Sequence, residues 1–147
     1  MTMFDLQKRV AFVTGGNGGI GLGMAKGLAS AGAAVVIAGR NKTKAQSAVS
    51  DLRTLGATAE FIDLDVLDER SCRDAVQRTA DRFGRLDILV NNAGTTVRKQ
   101  PQDLTAQDWR LVMDTNLTSA FLCSQAAYPH MVRAGGGKII NIGSMMT

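Results

Sequence analysis

Five short apolar runs, separated by segments with helical periodicity, constrain the fold of this chain more than any other feature. They predict β-strands at Val10–Val13, Val35–Ala38, Ala59–Leu64, Ile88–Val90 and Lys138–Ile142. The first, second and fourth runs are continuously apolar, which is typical of parallel strands covered on both faces. Asn41 and Asp68 are candidate N-caps of the intervening helices. Three of these helices are predicted to end at the glycines Gly32, Gly56 and Gly84.

The order of these elements predicts an α/β fold. Strands that alternate with helices through right-handed crossovers form one doubly wound parallel sheet. A helix is expected over residues 105–133, interrupted near Asn116, before the glycines at 135–137. If the switch point, where the order of strand addition reverses, lies between strands 1 and 4, the strand order is 3-2-1-4-5. This is the Rossmann-type arrangement. We see no linker or repeat and expect a single domain over residues 1–147 that is truncated after strand 5.

Composition and charge argue against several other classes. The chain of 147 residues is 45% hydrophobic and 20% charged, as globular proteins are. It has neither a membrane-length apolar run nor a signal-peptide core, so we expect a cytoplasmic protein without membrane contact. The net charge of +4 comes from scattered lysines and arginines, which does not favour nucleic-acid binding. Cys72 and Cys123 lack metal-ligand spacing, so we predict reduced packing residues and no metal site.

A glycine-rich turn follows the first predicted strand and leads directly into a helix. It reads Thr14-Gly15-Gly16-Asn17-Gly18-Gly19-Ile20-Gly21. A pyrophosphate needs backbone N–H groups at a helix N-terminus and no side chains that prevent close approach. Gly15, Gly19 and Gly21 suit the tight turn, the close approach and the packing of helix on strand. Because the pattern lies between a strand and a helix, it predicts a dinucleotide site rather than a flexible surface loop.

The TGxxxGxG spacing of this turn resembles that of the short-chain dehydrogenase/reductase family. Asn91-Asn92-Ala93-Gly94 is similar to the NNAG motif of that family, and Asp65-Val66 is similar to its adenine-contacting aspartate and the following residue. Asn116 and Ser144 fall where the family has the first two members of its catalytic Asn-Ser-Tyr-Lys tetrad. The resemblance covers residues 8–147 and implies an NAD(P)-dependent oxidoreductase that interconverts a secondary alcohol and a ketone. It implies cofactor contacts at Thr14, Gly15, Asn17, Gly19, Ile20, Gly21, Asp65, Val66, Asn92, Ala93 and Gly94.

The resemblance also bears on substrate and assembly. Residues 98–146 look most like sugar-acid dehydrogenases of the gluconate or 2-deoxygluconate type. Arg98 and Lys99 have two interpretations, attraction of a carboxylated substrate or solvated loop charges, and the second is favoured. The family is commonly dimeric or tetrameric, so the resemblance implies a homo-oligomer built partly on the helix at 105–133.

The end of the second strand bears on the choice of nicotinamide cofactor. An acidic residue there usually holds the ribose 2′-OH of NAD(H), whereas a 2′-phosphate needs space and a cation. Gly39 occupies the expected acidic position, and Arg40 and Asn41 follow it. A guanidinium can pair with a phosphate through two hydrogen bonds, so we predict a preference for NADP(H). An Arg40 that stacks on adenine or faces solvent would allow NAD(H).

Carbonyl reduction needs a positioned hydride, a donor to the carbonyl oxygen and a proton donor. Ser144 is the predicted donor to the oxygen, and Asn116 is expected to open its helix so that a carbonyl can hold a relay water. The family draws its proton from a Tyr-x-x-x-Lys pair after strand 5. The only tyrosine, Tyr128, precedes Ser144 and is followed four residues later by Val132. We therefore expect Tyr128 to be a packing or surface residue and His130 to lie at a helix surface.

From these features we expect the N-terminal part of a longer reductase. The 147 residues alone are not expected to transfer hydride efficiently, and their fifth strand would present an exposed apolar edge. The alternative is a non-catalytic module or inactive fragment that binds dinucleotide, and a downstream Tyr-x-x-x-Lys would decide against it. Nucleic-acid binding remains the weakest candidate because no basic or aromatic cluster supports it.

Overall fold

The computed structural model describes residues 4–144 and contains one five-stranded parallel sheet. Its strands are β1 Val10–Thr14, β2 Ala34–Gly39, β3 Ala59–Asp63, β4 Ile88–Asn91 and β5 Lys138–Asn141. They are arranged in the order β3-β2-β1-β4-β5. The predicted Rossmann-type order is therefore confirmed. Each predicted strand bound lies within one residue of the observed bound.

The helices begin and end largely where the sequence indicates. They are α1 Gly19–Ser30, α2 Lys42–Thr54, α3 Glu69–Phe83, α4 Ala106–Met113 and α5 Ser119–Arg133. The carboxamide of Asn41 accepts a hydrogen bond from the Lys44 N–H, and the carboxylate of Asp68 accepts one from the Arg70 N–H, so both predicted N-caps are confirmed. The predicted terminal glycines adopt positive φ angles of 100°, 81° and 74° at Gly32, Gly56 and Gly84.

Both faces of the sheet are covered, which explains the continuous apolar strands. In β1, Val10 and Phe12 belong to one core cluster, and Ala11 and Val13 belong to the other. Helices α3 and α5 contribute to the first cluster, whereas α1 and α2 contribute to the second. Alternate side chains of a strand point to opposite faces, so a strand that lies between two helical layers needs apolar residues at every position.

The two cysteines lie in the core between α3 and α5. Cys72 and Cys123 are both free thiols with no exposed surface. The hydrogen bond with Cys72, together with burial, raises the pKa of the Cys123 thiol far above its ordinary range. The prediction of reduced packing residues is confirmed.

The prediction for His130 is wrong. Its side chain is buried, because α5 packs against α3 and His130 lies at the groove between them, near Gln77. The Arg133 guanidinium donates to its Nδ1 atom over 2.6 Å. Burial, and the positive charge of Arg133, lower the pKa of the imidazole. Tyr128, in contrast, is 66% exposed on α5, in agreement with the prediction.

The outer edge of the sheet is apolar and exposed among the described residues. Ile139 and Ile140 of β5 are 39% and 42% exposed, so the expected exposed edge is confirmed for this part of the chain. The adjoining helices also present large apolar side chains, including Trp109 and Phe121. Within residues 4–144, no helix is long and apolar enough to cross a bilayer.

Asp87, a buried residue directly before β4, connects the amino-terminal ends of three strands through its carboxylate and its backbone. Asp87 is 3% exposed, and its Oδ2 accepts from the Val10 N–H over 2.9 Å. Arg9 donates to its Oδ1 and Arg85 to both carboxylate oxygens. Its backbone carbonyl accepts from the Lys138 N–H at the start of β5. Burial acts to raise the pKa of this carboxyl, but the hydrogen bonds from Arg85, Val10 and Arg9 outweigh it and hold the pKa below its ordinary value of 3.8.

We predict that Asp87→Asn lowers the free energy of unfolding at neutral pH by about 1–2 kcal/mol, because the charge-assisted bonds are lost but both arginines stay partly solvated. A carboxyl whose pKa is depressed by folding stabilises the fold above its unfolded pKa, and this contribution disappears as the pH falls through the folded pKa. The gap between wild type and variant should therefore close below about pH 4. Urea unfolding across pH measures it.

The control for this prediction is Asp51→Asn, which removes an exposed ion pair with Lys26. It should change stability by less than about 0.5 kcal/mol at every pH. An Asp87→Asn variant as stable as the control at neutral pH would contradict the role assigned to Asp87.

Candidate active site

The glycine-rich turn has the backbone geometry that an anion needs. Gly15 and Gly19 adopt positive φ angles of 64° and 51°, which side-chain-bearing residues rarely adopt. Gly18 precedes α1 without any side-chain cap, and the first turn of α1 carries no acidic residue. The first amide groups of the helix are therefore available, together with its dipole, to a negatively charged ligand.

Gly21 is required by the approach of α1 to the segment after β4. A Cβ atom added at Gly21 would collide with the Asn92 Nδ2 atom and with the Gly15 carbonyl oxygen. One added at Gly15 would lie 3.2 Å from the Ala93 Cα atom. The glycine pattern therefore serves packing within the protein as well as access for a ligand.

Thr14 ties the turn to the segment after β4. Its Oγ1 accepts hydrogen bonds from the N–H groups of Asn92 and Ala93 over 3.0 and 2.9 Å, and donates to the Val90 carbonyl. In return, the Asn92 side chain donates to the carbonyls of Thr14 and Gly15. Thr14 and Asn92 are thus held by each other, and they fix the shape of the carboxyl edge between β1 and β4.

The end of β2 provides space beside a cation. A Cβ atom at Gly39 would lie 3.6 Å from the Asn17 Nδ2 atom, which is ordinary van der Waals contact. Arg40 is exposed, and no hydrogen bond or ion pair within residues 4–144 holds its guanidinium. The carboxamide oxygen of Asn41 is already used to cap α2. Of the residues predicted here, Arg40 is therefore the one whose charged group remains available.

The loop after β3 is shaped by its own hydrogen bonds. The Asp65 carboxylate accepts from the Leu67 N–H over 3.0 Å, and the Asp65 N–H donates to the Ser71 hydroxyl. The thiol of Cys72 lies 3.7 Å from the Val66 carbonyl oxygen. Asp65 and Val66 are thus held at the carboxyl edge of the sheet, two strands away from the glycine turn.

Asn116 lies in a turn of π-helix at Asp114–Thr118, between α4 and α5. The predicted interruption of the helix is therefore present, and here the Ser119 N–H donates to the Asp114 carbonyl. The Asn116 carboxamide bonds the backbone of Thr95 at both ends, accepting from its N–H over 2.7 Å and donating to its carbonyl over 2.9 Å. Asn116 thereby clamps the loop that follows Gly94. Turns of π-helix often occur at functional sites.

Ser144 follows β5 and faces an open cavity of about 1080 Å³. The predicted residues on the walls of this cavity are Ile20, Asn92, Ala93, Gly94, Asn116 and Ser144. The remaining predicted residues lie outside it, along the carboxyl ends of β1, β2 and β3, and these are Thr14, Gly15, Asn17, Gly19, Gly21, Arg40, Asn41, Asp65 and Val66. The structure therefore places the two predicted catalytic side chains together, beside the glycine turn.

Sequence reasoning missed four polar residues of this cavity, Thr95, Thr96, Ser124 and Asn141. Ser124 lies two helical turns after Asn116, and Asn141 is the last residue of β5. The helical spacing from Asn116 is a signal that could have identified Ser124. Among the described residues there is no group of three or more His, Cys, Asp or Glu side chains that could hold a metal ion.

Comparison with known proteins identifies the family. The profile of the short chain dehydrogenase family matches residues 9–147. Gluconate 5-dehydrogenase of Gluconobacter oxydans (strain 621H) is 40% identical over 145 residues, which are 99% of this chain and 57% of that protein. The 2-dehydro-3-deoxy-D-gluconate 5-dehydrogenase of Escherichia coli (strain K12) is 38% identical over 148 residues, 100% of this chain and 58% of that protein.

A solved structure agrees with these relatives. The crystal structure of a short-chain type dehydrogenase/reductase from Mycobacterium marinum superposes with a TM-score of 0.93 at 35% identity, and the match covers 97% of this chain and 57% of that one. The chain thus belongs to the short chain dehydrogenase family, as the resemblance predicted. It spans a little over half the length of the curated relatives it matches.

We predict that Gly21→Ala destabilises the fold by about 1–3 kcal/mol, because its Cβ would collide with Asn92 and the Gly15 carbonyl. Gly23→Ala is the matched control on the same helix, since a Cβ there meets nothing within 4 Å. It should be neutral or stabilise by up to about 1 kcal/mol. Chemical unfolding of both variants measures the difference. Equal stabilities would contradict the close approach of α1 to Asn92.

Proposed function

We propose that the protein containing this chain is an NAD(P)-dependent oxidoreductase that interconverts a secondary alcohol and a ketone. The observation that carries the proposal is the cavity that Ser144 and Asn116 share, next to an uncapped helix N-terminus at the glycine turn. The curated relatives support it, because they are named as dehydrogenases.

The residues of this edge fit a dinucleotide. The amide groups at the start of α1 suit a pyrophosphate, and Gly15 and Gly21 leave no side chain in its way. The loop of Asp65 and Val66, which follows β3, is the proposed contact for the adenine. A nicotinamide cofactor bound here would supply the hydride.

Ser144 and Asn116 have different roles in this proposal. The Ser144 hydroxyl donates a hydrogen bond to the substrate oxygen and stabilises the negative charge that develops there. Asn116 holds the loop at Thr95 and keeps its own helix open, so it positions the cavity wall. Tyr128 is exposed on α5 and does not line the cavity. The proton donor is therefore assigned to a Tyr-x-x-x-Lys pair elsewhere in the whole protein.

The end of β2 supports a preference for NADP(H). Gly39 leaves room beside Asn17, and the Arg40 guanidinium has no protein partner within residues 4–144. A 2′-phosphate would find space and a cation at this position.

The proposed substrate is a sugar acid of the gluconate type. Two curated relatives are named for gluconate and 2-dehydro-3-deoxy-D-gluconate. Lys99 is paired with Asp108 over 2.8 Å, and this hydrogen bond, with those from Thr105, lowers the pKa of the Asp108 carboxyl to about 2. Arg98 has no such partner within residues 4–144. Of the two cations after the NNAG segment, Arg98 thus keeps its charge available, but it does not line the cavity, and the favoured interpretation of both remains that of solvated loop charges.

Assembly and location complete the proposal. Large apolar side chains on α4 and α5, such as Trp109 and Phe121, are more than 60% exposed. Exposed apolar surface of this kind suits an interface between subunits, so we assign a homo-oligomer, a dimer or a tetramer. The cytoplasmic location expected from the sequence stays a prediction.

The proposed activity is tested with the whole protein, NADP⁺ and gluconate, by recording formation of the reduced nicotinamide. We predict that Ser144→Ala lowers kcat by about 100- to 1000-fold while the Kd of the cofactor stays within about twofold. Ser47→Ala, an exposed serine of α2, is the control and should leave kcat unchanged. Cofactor binding without turnover of any polyhydroxy acid or simple secondary alcohol would instead favour a non-catalytic dinucleotide-binding module.

We predict that Gly39→Asp reverses the cofactor preference, raising the Kd of NADPH at least about tenfold relative to that of NADH, because the carboxylate repels a 2′-phosphate. A Cβ atom at Gly39 is in ordinary van der Waals contact with Asn17, so we expect the fold to persist. Gly27→Asp adds the same charge at an exposed position of α1, where a Cβ meets nothing within 4 Å, and should leave the ratio unchanged. Tighter binding of NADH than NADPH by the wild-type protein would contradict the proposal.

A further inference from the structure

Asn91, the last residue of β4, bonds to two different elements at once. Its Nδ2 atom lies 2.8 Å from the Asn141 Oδ1 atom of β5. The same nitrogen lies 3.1 Å from the Ser124 hydroxyl and 3.4 Å from the Ala120 carbonyl oxygen of α5. The Asn91 carbonyl also accepts from the Ile142 N–H over 3.0 Å. One residue thus joins the end of β5 to the beginning of α5.

The orientation of this carboxamide follows from its neighbours. The Ala120 carbonyl can only accept a hydrogen bond, so the nitrogen of Asn91 must face α5. Asn141 must then turn its oxygen toward Asn91, because two opposed nitrogens would repel. Within residues 4–144, the Asn91 Oδ1 atom is left buried without a hydrogen-bond partner. Buried acceptors are usually paired, so an unpaired one calls for an explanation.

The position of Asn91 supplies that explanation. Ala120 is in the first turn of α5, directly after the π-helical turn that carries Asn116. Asn141 is paired with Asn91 across the two strands, and Ser144 follows three residues later. Ser124 and Asn141 line the same cavity as Ser144 and Asn116. Asn91 therefore lies between the two segments that carry the proposed catalytic side chains.

We propose that Asn91 is a positioning residue for Ser144. Its amide nitrogen clamps the carboxyl end of β5 against α5, so that Ser144 and Asn116 face one substrate. Its two N–H groups serve three acceptors, so one of them is shared between the Ser124 hydroxyl and the Ala120 carbonyl of α5. Asn91 does not line the cavity and is assigned no contact with substrate. The proposal rests on the proposed function, because Ser144 has to be the group that polarises the substrate oxygen.

The decisive variant is Asn91→Asp, which keeps the shape of the side chain and removes the donor. An ionised carboxylate would turn oxygen atoms toward the acceptors of Ala120 and Asn141. In the whole protein we expect kcat to fall by about 10- to 100-fold, since a small displacement of a catalytic group has effects of this size. The Kd of the cofactor should change by less than about twofold, because Asn92 and Thr14 keep their own bonds.

The pH profile separates positioning from general loss of structure. A protonated carboxyl regains one O–H donor. The ratio of the kcat of Asn91→Asp to that of wild type should therefore rise toward one as the pH falls. Asn91→Leu has a similar volume and no donor, and its ratio should stay low at every pH. A kcat for Asn91→Asp equal to that of wild type at neutral pH, or parallel profiles for both variants, would overturn the proposal.

A second measurement does not depend on activity or on the folding of a variant. Hydrogen exchange of asparagine side-chain amides by NMR, in the wild-type whole protein, should show Asn91 protected relative to an exposed asparagine such as Asn41. Exchange as fast as at Asn41 overturns the clamp. A protected Asn91 in a protein that binds cofactor but oxidises no alcohol supports the clamp on β5, and the proposed function alone then fails.

Discussion

The close approach of the glycine turn to the segment after β4 is the contact on which the carboxyl edge of this protein depends. Gly21 lies so near the Asn92 side chain that no Cβ can be accommodated there. Thr14 and Asn92 hold the two segments together through four hydrogen bonds that cross between them. A looser contact would separate β1 from β4 at the switch point of the sheet, where ligands bind in folds of this type.

Within residues 4–144, polar groups at the amino-terminal ends of the strands have protein partners, whereas several at the carboxyl ends do not. At the amino-terminal edge, the buried Asp87 carboxylate is fully used by Arg9, Arg85 and the Val10 amide, which serves stability. At the carboxyl edge, the Arg40 guanidinium and the first amide groups of α1 have no protein partner among the described residues. Groups without partners are costly when buried, but at an exposed edge they are kept available to a ligand.

The sequence predicted the fold well because its signals are local. Strand positions follow from apolar runs, and helix ends follow from Asn41, Asp68 and Gly84, each of which acts on its nearest neighbours. The prediction failed for His130, whose burial depends on the packing of α5 against α3 and not on local pattern. For the same reason Asn141 was missed, since only the pairing of β4 with β5 brings it to the cavity. Ser124 was missed although its helical spacing from Asn116 indicated it. Strand and helix ends could be predicted from neighbouring residues. The burial of a side chain, and the meeting of distant residues at one cavity, could not.

The polar residues behind the cavity show how a site can be made rigid without a continuous secondary-structure element. Asn116 lies in a turn of π-helix. Both ends of its carboxamide form hydrogen bonds with the Thr95 backbone. Asn91 bonds the next turn of the same helix and the end of β5. The two carboxamides together connect the loop after β4, the helix and the fifth strand. A serine hydroxyl needs only a small rotation to leave a productive geometry, so its backbone must be held by neighbours of this kind.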